Sequence, residues 1–246
     1  MIKKVKPPFK PFKKTYAHNY VSELLKEYIV SGVYNAGDQL PSEIDLCQDL
    51  GVSRSAVREG LRELEGAGLI KTVQGSKGGR FVNKINSDII VHGLDLILKS
   101  RNASFEQLME ARKIIECVTA QMAALNRTEE HLEAMLKIVD LRTKSKEEFY
   151  KKNYELHEIV ALSSQNMVLF YIVQALRKLI FRTYSFITME EIDIERAIEC
   201  HYAIYKAIKN RDPEEAEKAM ISDLEAYRKL YLEIIRKRLE KKGNKL

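Results

Sequence analysis

The spacing of apolar positions changes near residue 84 and divides the chain into two halves. In residues 1–84 short helical patterns alternate with turn residues and two strand-like runs, and the first helix is predicted at 16–31. From about residue 85 onward apolar residues recur every three or four positions, the period of an amphipathic helix. Seven helices are predicted there, at 87–99, 104–125, 128–143, 146–164, 167–187, 190–210 and 213–241.

The stretch Leu40–Ile70, LPSEIDLCQDLGVSRSAVREGLRELEGAGLI, predicts two short helices joined by a tight turn. Ser42 and Asp45 have the spacing of a capping box at the start of the first helix. Gly51 supplies the backbone freedom that a tight turn requires, and Ser53 is a good N-cap for the second helix. The apolar side of the first helix is predicted from Ile44, Leu46, Cys47 and Leu50.

The second of these helices separates apolar from basic positions. Val57, Leu61 and Leu64 are predicted to be buried, whereas Ser55, Arg58 and Arg62 fall on the opposite side, with Arg54 at the flank. Arginines on such a helix are able to pair with guanine or with phosphates in a major groove. The alternative is a solvated amphipathic helix pair without a ligand.

A short hairpin is predicted directly after the second helix. Residues 70–73 and 80–82 have the character of strands, and the segment 74–78 between them is rich in glycine. Glycines in such a tip allow close approach to a sugar–phosphate chain. The pattern therefore indicates a winged helix-turn-helix, for which an ordinary surface hairpin is the alternative.

Charge is distributed unevenly along the chain, whose formal net charge is +6. Residues 1–84 contain 14 Lys and Arg against 9 Asp and Glu, whereas the other 162 residues contain 27 against 26. The basic excess of the N-terminal half is typical of a module that meets a polyanion. No apolar run is long enough to span a bilayer, and three scattered cysteines suggest no disulfide framework, so a cytoplasmic location without membrane contact is expected.

The motifs of the first half resemble the winged helix-turn-helix of the GntR family of bacterial transcription regulators. G-x-x-L-P-S-E, G-V-S-R-x-x-V-R and G-x-F-V occur in register within residues 20–83. The resemblance implies operator contacts from Ser53, Arg54, Ser55, Arg58, Gln74 and Gly75. Ile44 stands where many members carry an arginine that reaches DNA. The lysines of the arm at 1–14 are able to add phosphate contacts; the alternative is a flexible tail without effect on folding.

Polar residues at helical spacing are the candidate functional groups of the second half. Asn153 and His157 stand four residues apart and therefore share one helix face. His201 and Asp223 lie in later apolar helices. Spacing alone favours hydrogen-bonded core residues here, and the same interpretation applies to His18, His92 and His131.

The segment 104–235 is similar to the helical sensor domain of the FadR subfamily of GntR regulators. The similarity is carried by ARKIIE, NYELH before SSQN, ECHYAIYKAIKNRD and MISDL. It implies a divalent metal, Zn, Ni or Mn, held by Asn153, His157, His201 and Asp223. Asn153 replaces the usual Asp and Asp223 the usual last His, so the ligand set keeps one negative charge; a polar pocket without metal is the alternative.

An effector carboxylate would bind at this metal and at an arginine. Arg112 is a candidate, as are Arg177 and Arg182, with a salt bridge to Glu116 or to a neighbouring helix as the alternative role.

The sequence predicts a mostly α protein: a winged helix-turn-helix with a β-hairpin wing, followed by an all-α antiparallel helical bundle. The expected domains are the arm and DNA-binding head at 1–84, a linker helix at 85–103, and a ligand-sensing and dimerisation domain at 104–246. The expected function is a homodimeric, effector-controlled regulator that binds double-stranded operator DNA and is not an enzyme. The alternatives are a metal-dependent hydrolase-like helical enzyme with a DNA-binding head, and an effector-free DNA-binding protein.

Overall fold

The computed structural model describes residues 17–75, 78–140, 146–183 and 194–243. The chain divides into two compact units, Met1–Ile89 and Ile90–Leu246. Several sequence predictions lie at least partly outside the described residues: the basic arm at 1–14, the first residue of the helix predicted at 16–31, Ser76 and Lys77 of the wing tip, the end of the helix predicted at 128–143, and the helix ends predicted between 184 and 193.

Between residues 17 and 83, the described part of the N-terminal unit contains three helices and a two-stranded hairpin, as the sequence predicts. Their bounds are α1 Ala17–Val30, α2 Glu43–Leu50, α3 Arg54–Gly66, β1 Ile70–Val73 and β2 Gly79–Val82. The strands pair antiparallel, with Ile70 opposite Val82 and Val73 opposite Gly79. The structure thus has the predicted class: a mostly helical chain with one small hairpin after the helix-turn-helix.

The turn between α2 and α3 has the predicted chemistry. The Ser42 side chain accepts a hydrogen bond from the Asp45 amide, and the Asp45 carboxylate accepts one from the Ser42 amide, which completes the capping box. Gly51 ends α2 with φ +63°, a left-handed conformation that a side chain disfavours. The Ser53 hydroxyl accepts from the Ala56 amide at 3.3 Å and caps α3.

The core of this unit lies between α1 and α3. Val57, Leu61 and Leu64 are buried there, which confirms the predicted apolar face of α3. At Gly60 the two helices approach so closely that a Cβ would lie 2.8 Å from the His18 carbonyl oxygen. One assignment on α2 is wrong: Leu46 is buried, but Ile44 is 51% exposed, because it stands two residues before Leu46 and so lies on nearly the opposite side of the helix.

An extended segment at residues 38–40, before α2, pairs with the hairpin through backbone hydrogen bonds. The Leu40 amide donates to the Arg80 carbonyl at 2.8 Å, and the Val82 amide donates to the Asp38 carbonyl at 2.9 Å. Gln39 pairs with Phe81 in an antiparallel bridge. The sequence indicates only a break in this segment, because its glycines and proline hide a pairing with residues forty positions later.

The second unit is helical throughout its described part. Its helices are α4 Asp88–Ser100, α5 Phe105–Asn126, α6 Glu129–Val139, α7 Lys146–Ser163, α8 Met167–Thr183, α9 Ile194–Lys209 and α10 Pro213–Gly243. α6 ends four residues before its predicted end, with Asp140 as its C-cap. Asp88 begins α4, and the boundary between the two units falls within this helix.

Helix α5 lies at the centre of the second unit and packs against α7, α8, α9 and α10. Ser104 and Gln107 form a capping box at its start, and Thr128 and His131 do the same for α6. His131 is thus a capping residue, in line with its predicted structural role. None of the described helices is long and apolar enough to cross a membrane.

Candidate functional site

The N-terminal end of α3 presents a polar and basic surface to solvent. Ser53, Arg54, Ser55 and Arg58 are all exposed, and so is Arg62 one turn further along. The Arg58 side chain is 63% exposed. The first amides of a helix and its exposed arginines both attract phosphate, so this end of α3 is suited to a nucleic-acid backbone.

Glu43 connects this surface to the wing. Its carboxylate accepts a hydrogen bond from Arg58 Nε at 2.7 Å and another from Arg80 Nη1 at 2.9 Å. Burial raises the pKa of Glu43, but the hydrogen bonds from Arg58 and Arg80 outweigh this and lower it. Sequence reasoning missed this contact, because Glu43 stands 15 positions from Arg58 and 37 from Arg80.

The wing residues Gln74 and Gly75 are also exposed. Gly75 has φ +118°, which favours glycine. The Gly78 amide donates to the Gly75 carbonyl at 2.8 Å, and Gln39 Nε2 donates to the Gly78 carbonyl at 3.2 Å. The described residues on the two sides of the tip are therefore joined by hydrogen bonds, while Gln74 and Gly75 remain exposed.

In the helical unit, residues from three helices converge on one point. His157 of α7, His201 of α9 and Asp223 of α10 offer ligand atoms that all lie within 4.8 Å of one another. His157 Nε2 lies 3.2 Å from Asp223 Oδ2, and His201 Nε2 lies 3.4 Å from Asp223 Oδ1. Two imidazoles and a carboxylate are a donor set suited to Zn, Ni or Mn, so these residues fit a divalent ion.

The protonation states also favour metal binding. Burial lowers the pKa of His201, despite the hydrogen bond from its imidazole to the Asp223 carboxylate, and so favours the neutral imidazole that ligates metals. Burial would raise the pKa of Asp223, but hydrogen bonds with His157 and His201 hold it well below its usual range. The carboxylate is therefore ionised, as a metal ligand must be.

Glu116 contacts Nδ1 of His157, the ring nitrogen that does not face Asp223. Its Oε2 lies 2.5 Å from His157 Nδ1, and its Oε1 accepts a hydrogen bond from Arg112 Nε. Burial raises the pKa of Glu116, yet Arg112 and His157 outweigh it and hold it well below its usual value. An anionic acceptor at Nδ1 fixes the tautomer that leaves Nε2 free to ligate, the usual arrangement around metal-binding histidines.

A cavity of about 320 Å³ opens beside this cluster. Its lining includes His157 and Asp223 together with Asn153, which stands one turn before His157 on α7. The structure thus places all four predicted metal ligands in one region: three converge directly, and Asn153 lines the adjoining cavity.

The predicted effector arginines occupy different places. Arg112 lines the cavity but forms an ion pair with Glu116. This ion pair is the alternative role that the sequence left open for Arg112. Arg182 is exposed in the last turn of α8 and is not part of the lining. Arg177, on the same helix, is buried and lines the cavity instead, because it lies on the core-facing side of α8.

Two aromatic rings accompany the buried arginines. The Arg112 guanidinium lies 5.6 Å from the centre of the Tyr227 ring, and that of Arg177 lies 4.9 Å from the centre of the Tyr154 ring. Ring faces are favourable neighbours for a desolvated cation. Tyr154 and Tyr227 also line the cavity, a role that periodicity does not distinguish from ordinary core packing.

Two protein-family models match the chain. Residues 18–79 match the family described as bacterial regulatory proteins, gntR family, and residues 107–226 match the FCD domain. The two matches fall on the two units described above.

Relatives and one solved structure extend these matches. The uncharacterized HTH-type transcriptional regulator YcbG of Bacillus subtilis is 31% identical over 217 residues, covering 88% of this chain and 90% of that protein. The Glc operon transcriptional activator of Escherichia coli is 28% identical, covering 81% and 82%. The structure of Streptococcus agalactiae GntR has a TM-score of 0.62 at 24% identity, covering 86% of this chain and 99% of that one, and supports the fold.

Proposed function

The chain belongs to the GntR family of bacterial regulatory proteins and carries an FCD domain, and from this premise we propose that a small carboxylate bound at a divalent metal controls its affinity for operator DNA. Like its relatives, it is a helix-turn-helix transcriptional regulator and not an enzyme. The observation that carries the proposal is the convergence of His157, His201 and Asp223 within 4.8 Å beside a cavity.

The proposed DNA surface consists of the residues at the start of α3 and in the wing. Ser53, Arg54, Ser55 and Arg58 would enter the major groove with the helix, while Gln74 and Gly75 would follow the backbone. Exposure of every one of these residues supports the assignment. Ile44 offers no charge at its position, whereas its neighbour Glu43 is paired with Arg58 and Arg80.

In the proposed sensor, Asn153, His157, His201 and Asp223 hold the metal. The ion would supply concentrated positive charge for an effector carboxylate. Glu116 orients His157 through Nδ1, and Arg112 keeps Glu116 ionised. The apolar walls of the cavity, including Ile180 and Leu230, would exclude water around the bound anion.

Control of DNA binding follows from linkage. An effector that binds one arrangement of the heads better than another shifts the population toward the arrangement that it prefers. The coupling free energy between effector binding and DNA binding is typically about 1–3 kcal/mol. A homodimer would place two heads on a palindromic operator, with 1–84 as the head, 85–103 as the linker and 104–246 as the sensor. Membership of the FadR subfamily is part of this proposal, and the motifs of the helical unit support it.

The test begins with a duplex selected from a random library by the full-length protein. Wild type should bind it with strong salt dependence, and Arg58→Gln should weaken binding by about 1–3 kcal/mol if Arg58 reads a base. Arg236→Gln is the matched control, because Arg236 is an exposed arginine of α10 with an 83% exposed side chain. Equal effects of the two substitutions would contradict the proposed surface.

The sensor is tested by elemental analysis of His157→Ala and His201→Ala. Both variants should lose bound metal and the response of DNA binding to carboxylates, while the salt dependence of DNA binding remains. Full metal content in both variants, or no metal in the wild type, would refute the metal site and favour the effector-free alternative.

A further inference from the structure

Arg177 is a buried cation whose hydrogen-bonding capacity is largely unused. It is 7% exposed, and its Nη2 donates to the Asn153 carbonyl oxygen at 3.2 Å. Its Nε and Nη1 are buried and have no hydrogen-bond partner among the described residues. Buried polar groups of proteins are almost always satisfied, so an unsatisfied guanidinium that lines a cavity indicates a missing ligand.

The other buried charges of the described part of this unit already have partners. Arg112 is paired with Glu116, and Asp223 contacts both His157 and His201. No described carboxylate lies within ion-pair distance of Arg177. The described contacts of Arg177, the Asn153 backbone carbonyl and the Tyr154 ring, are neutral, so an anionic partner must come from outside the described side chains.

Charge accounting then gives two positive centres in one cavity. At the first, a divalent ion held by Asp223 and neutral ligands would keep one net positive charge. At the second, Arg177 carries its own positive charge, because a guanidinium stays protonated in proteins. Each centre calls for one anionic group, since an uncompensated buried charge is strongly unfavourable.

We propose that the effector is a short dicarboxylate, with one carboxylate at the His157–His201–Asp223 cluster and the other at Arg177. This inference rests on the proposed function and specifies its ligand class. The planar fork of Arg177 suits bidentate recognition of a carboxylate through Nε and one Nη. A cavity of about 320 Å³ is at the small end of ligand sites, which favours a compact molecule.

The experiment compares matched acids on the full-length, Zn²⁺-loaded protein by titration calorimetry. Succinate is paired with butyrate, and glutarate with pentanoate, so that each pair differs by one carboxylate at constant chain length. In the wild type, the better dicarboxylate should bind at least about tenfold more tightly than its monocarboxylate partner, because one charge-assisted bidentate contact is added.

Two substitutions on α8 separate the role of Arg177 from general charge effects. Arg177→Gln should abolish the preference for dicarboxylates and leave the monocarboxylate affinity within about twofold. Arg182→Gln removes the same charge from an exposed position of the same helix and should leave both affinities unchanged. Arg177→Met should melt no earlier than the wild type without ligand, since it removes an uncompensated charge; a purely structural arginine would lower the melting temperature.

The inference is overturned if the wild type shows no preference for either dicarboxylate, or if the preference survives Arg177→Gln. Absence of all carboxylate binding would overturn it as well. The proposed function is judged separately, from metal content and from a ligand-dependent change in affinity for the selected duplex. A protein that binds metal and responds to monocarboxylates alone would keep the function and lose the dicarboxylate.

Discussion

The buried pair Arg112–Glu116 allows the sensor to be tested by a double-mutant cycle. Arg112 is 5% exposed and Glu116 is 1% exposed, so Glu116→Gln removes the ion-pair partner of a buried guanidinium, and Arg112→Gln removes the permanent positive charge beside a buried carboxylate. Breaking such a pair costs about 3–5 kcal/mol of the free energy of unfolding. Additive effects would total about 6–10 kcal/mol, whereas the double variant buries no unpaired member of this pair and should cost about as much as one single variant.

The cycle is measured by urea unfolding of the chelator-treated protein, so that bound metal does not contribute. A coupling free energy of about 3–5 kcal/mol is expected, the difference between the additive total and the cost of the double variant. The exposed pair Lys113–Glu225, joined at 2.9 Å with both side chains more than 40% exposed, is the control. Its cycle should give at most about 1 kcal/mol. Additivity within about 0.5 kcal/mol at Arg112 and Glu116 would refute the reasoning.

The Glu116→Gln variant also tests the contribution of Glu116 to metal binding. Glu116→Gln replaces the anionic acceptor at His157 Nδ1, at present 2.5 Å away, by a neutral amide. Loss of such an outer contact weakens metal affinity by about 10–100-fold. Competition with a fluorescent chelator measures the change, and an unaltered affinity would show that Glu116 does not act through His157.

Two further predictions concern the N-terminal unit. Gly60→Ala should lower the free energy of unfolding by about 1–3 kcal/mol, since the new methyl group meets the His18 carbonyl and Val21. Gly66→Ala on the same helix is the control, because its methyl group meets no atom within 4 Å and should be neutral or stabilising. Equal effects of the two substitutions in thermal unfolding would contradict this prediction. The pKa of Glu43 is lowered in the folded state, so its contribution to stability is complete above its ordinary value of 4.5 and is lost as the pH falls through the folded value. Glu43→Gln should flatten this part of the pH dependence in urea titrations, and an unchanged profile would exclude Glu43 as its source.

The features predicted most accurately are the helix caps and turns, which depend on contacts between residues close together in the sequence. The capping box of Ser42 and Asp45, the left-handed turn at Gly51 and the cap at Ser53 all depend on atoms within a few residues of each other. The buried face of α3 depends only on helical period and is confirmed at Leu61 and its neighbours. Helix starts are likewise close to prediction, because capping residues mark them.

Where contacts span many residues, the local pattern was insufficient or misleading. Ile44 fits the apolar period of α2 but is exposed, because only the tertiary packing decides which helix face meets the core. Periodicity does not reveal that Glu43 holds Arg58 and Arg80 together, nor that α1 and α3 touch at Gly60. The family resemblance, not the spacing, named the four candidate metal ligands.

By itself the sequence determined the class of fold, the helix-turn-helix with its caps and the exposed arginine face, since these follow from local hydrogen bonding and helical period. Only the tertiary structure brought His157, His201 and Asp223 within 4.8 Å and put Glu116 behind His157. It also turned Arg177 inward and left Arg182 in solvent. The reason is physical: a cavity is made by side chains from several helices, and their meeting is set by packing of the whole core, which no single helix encodes.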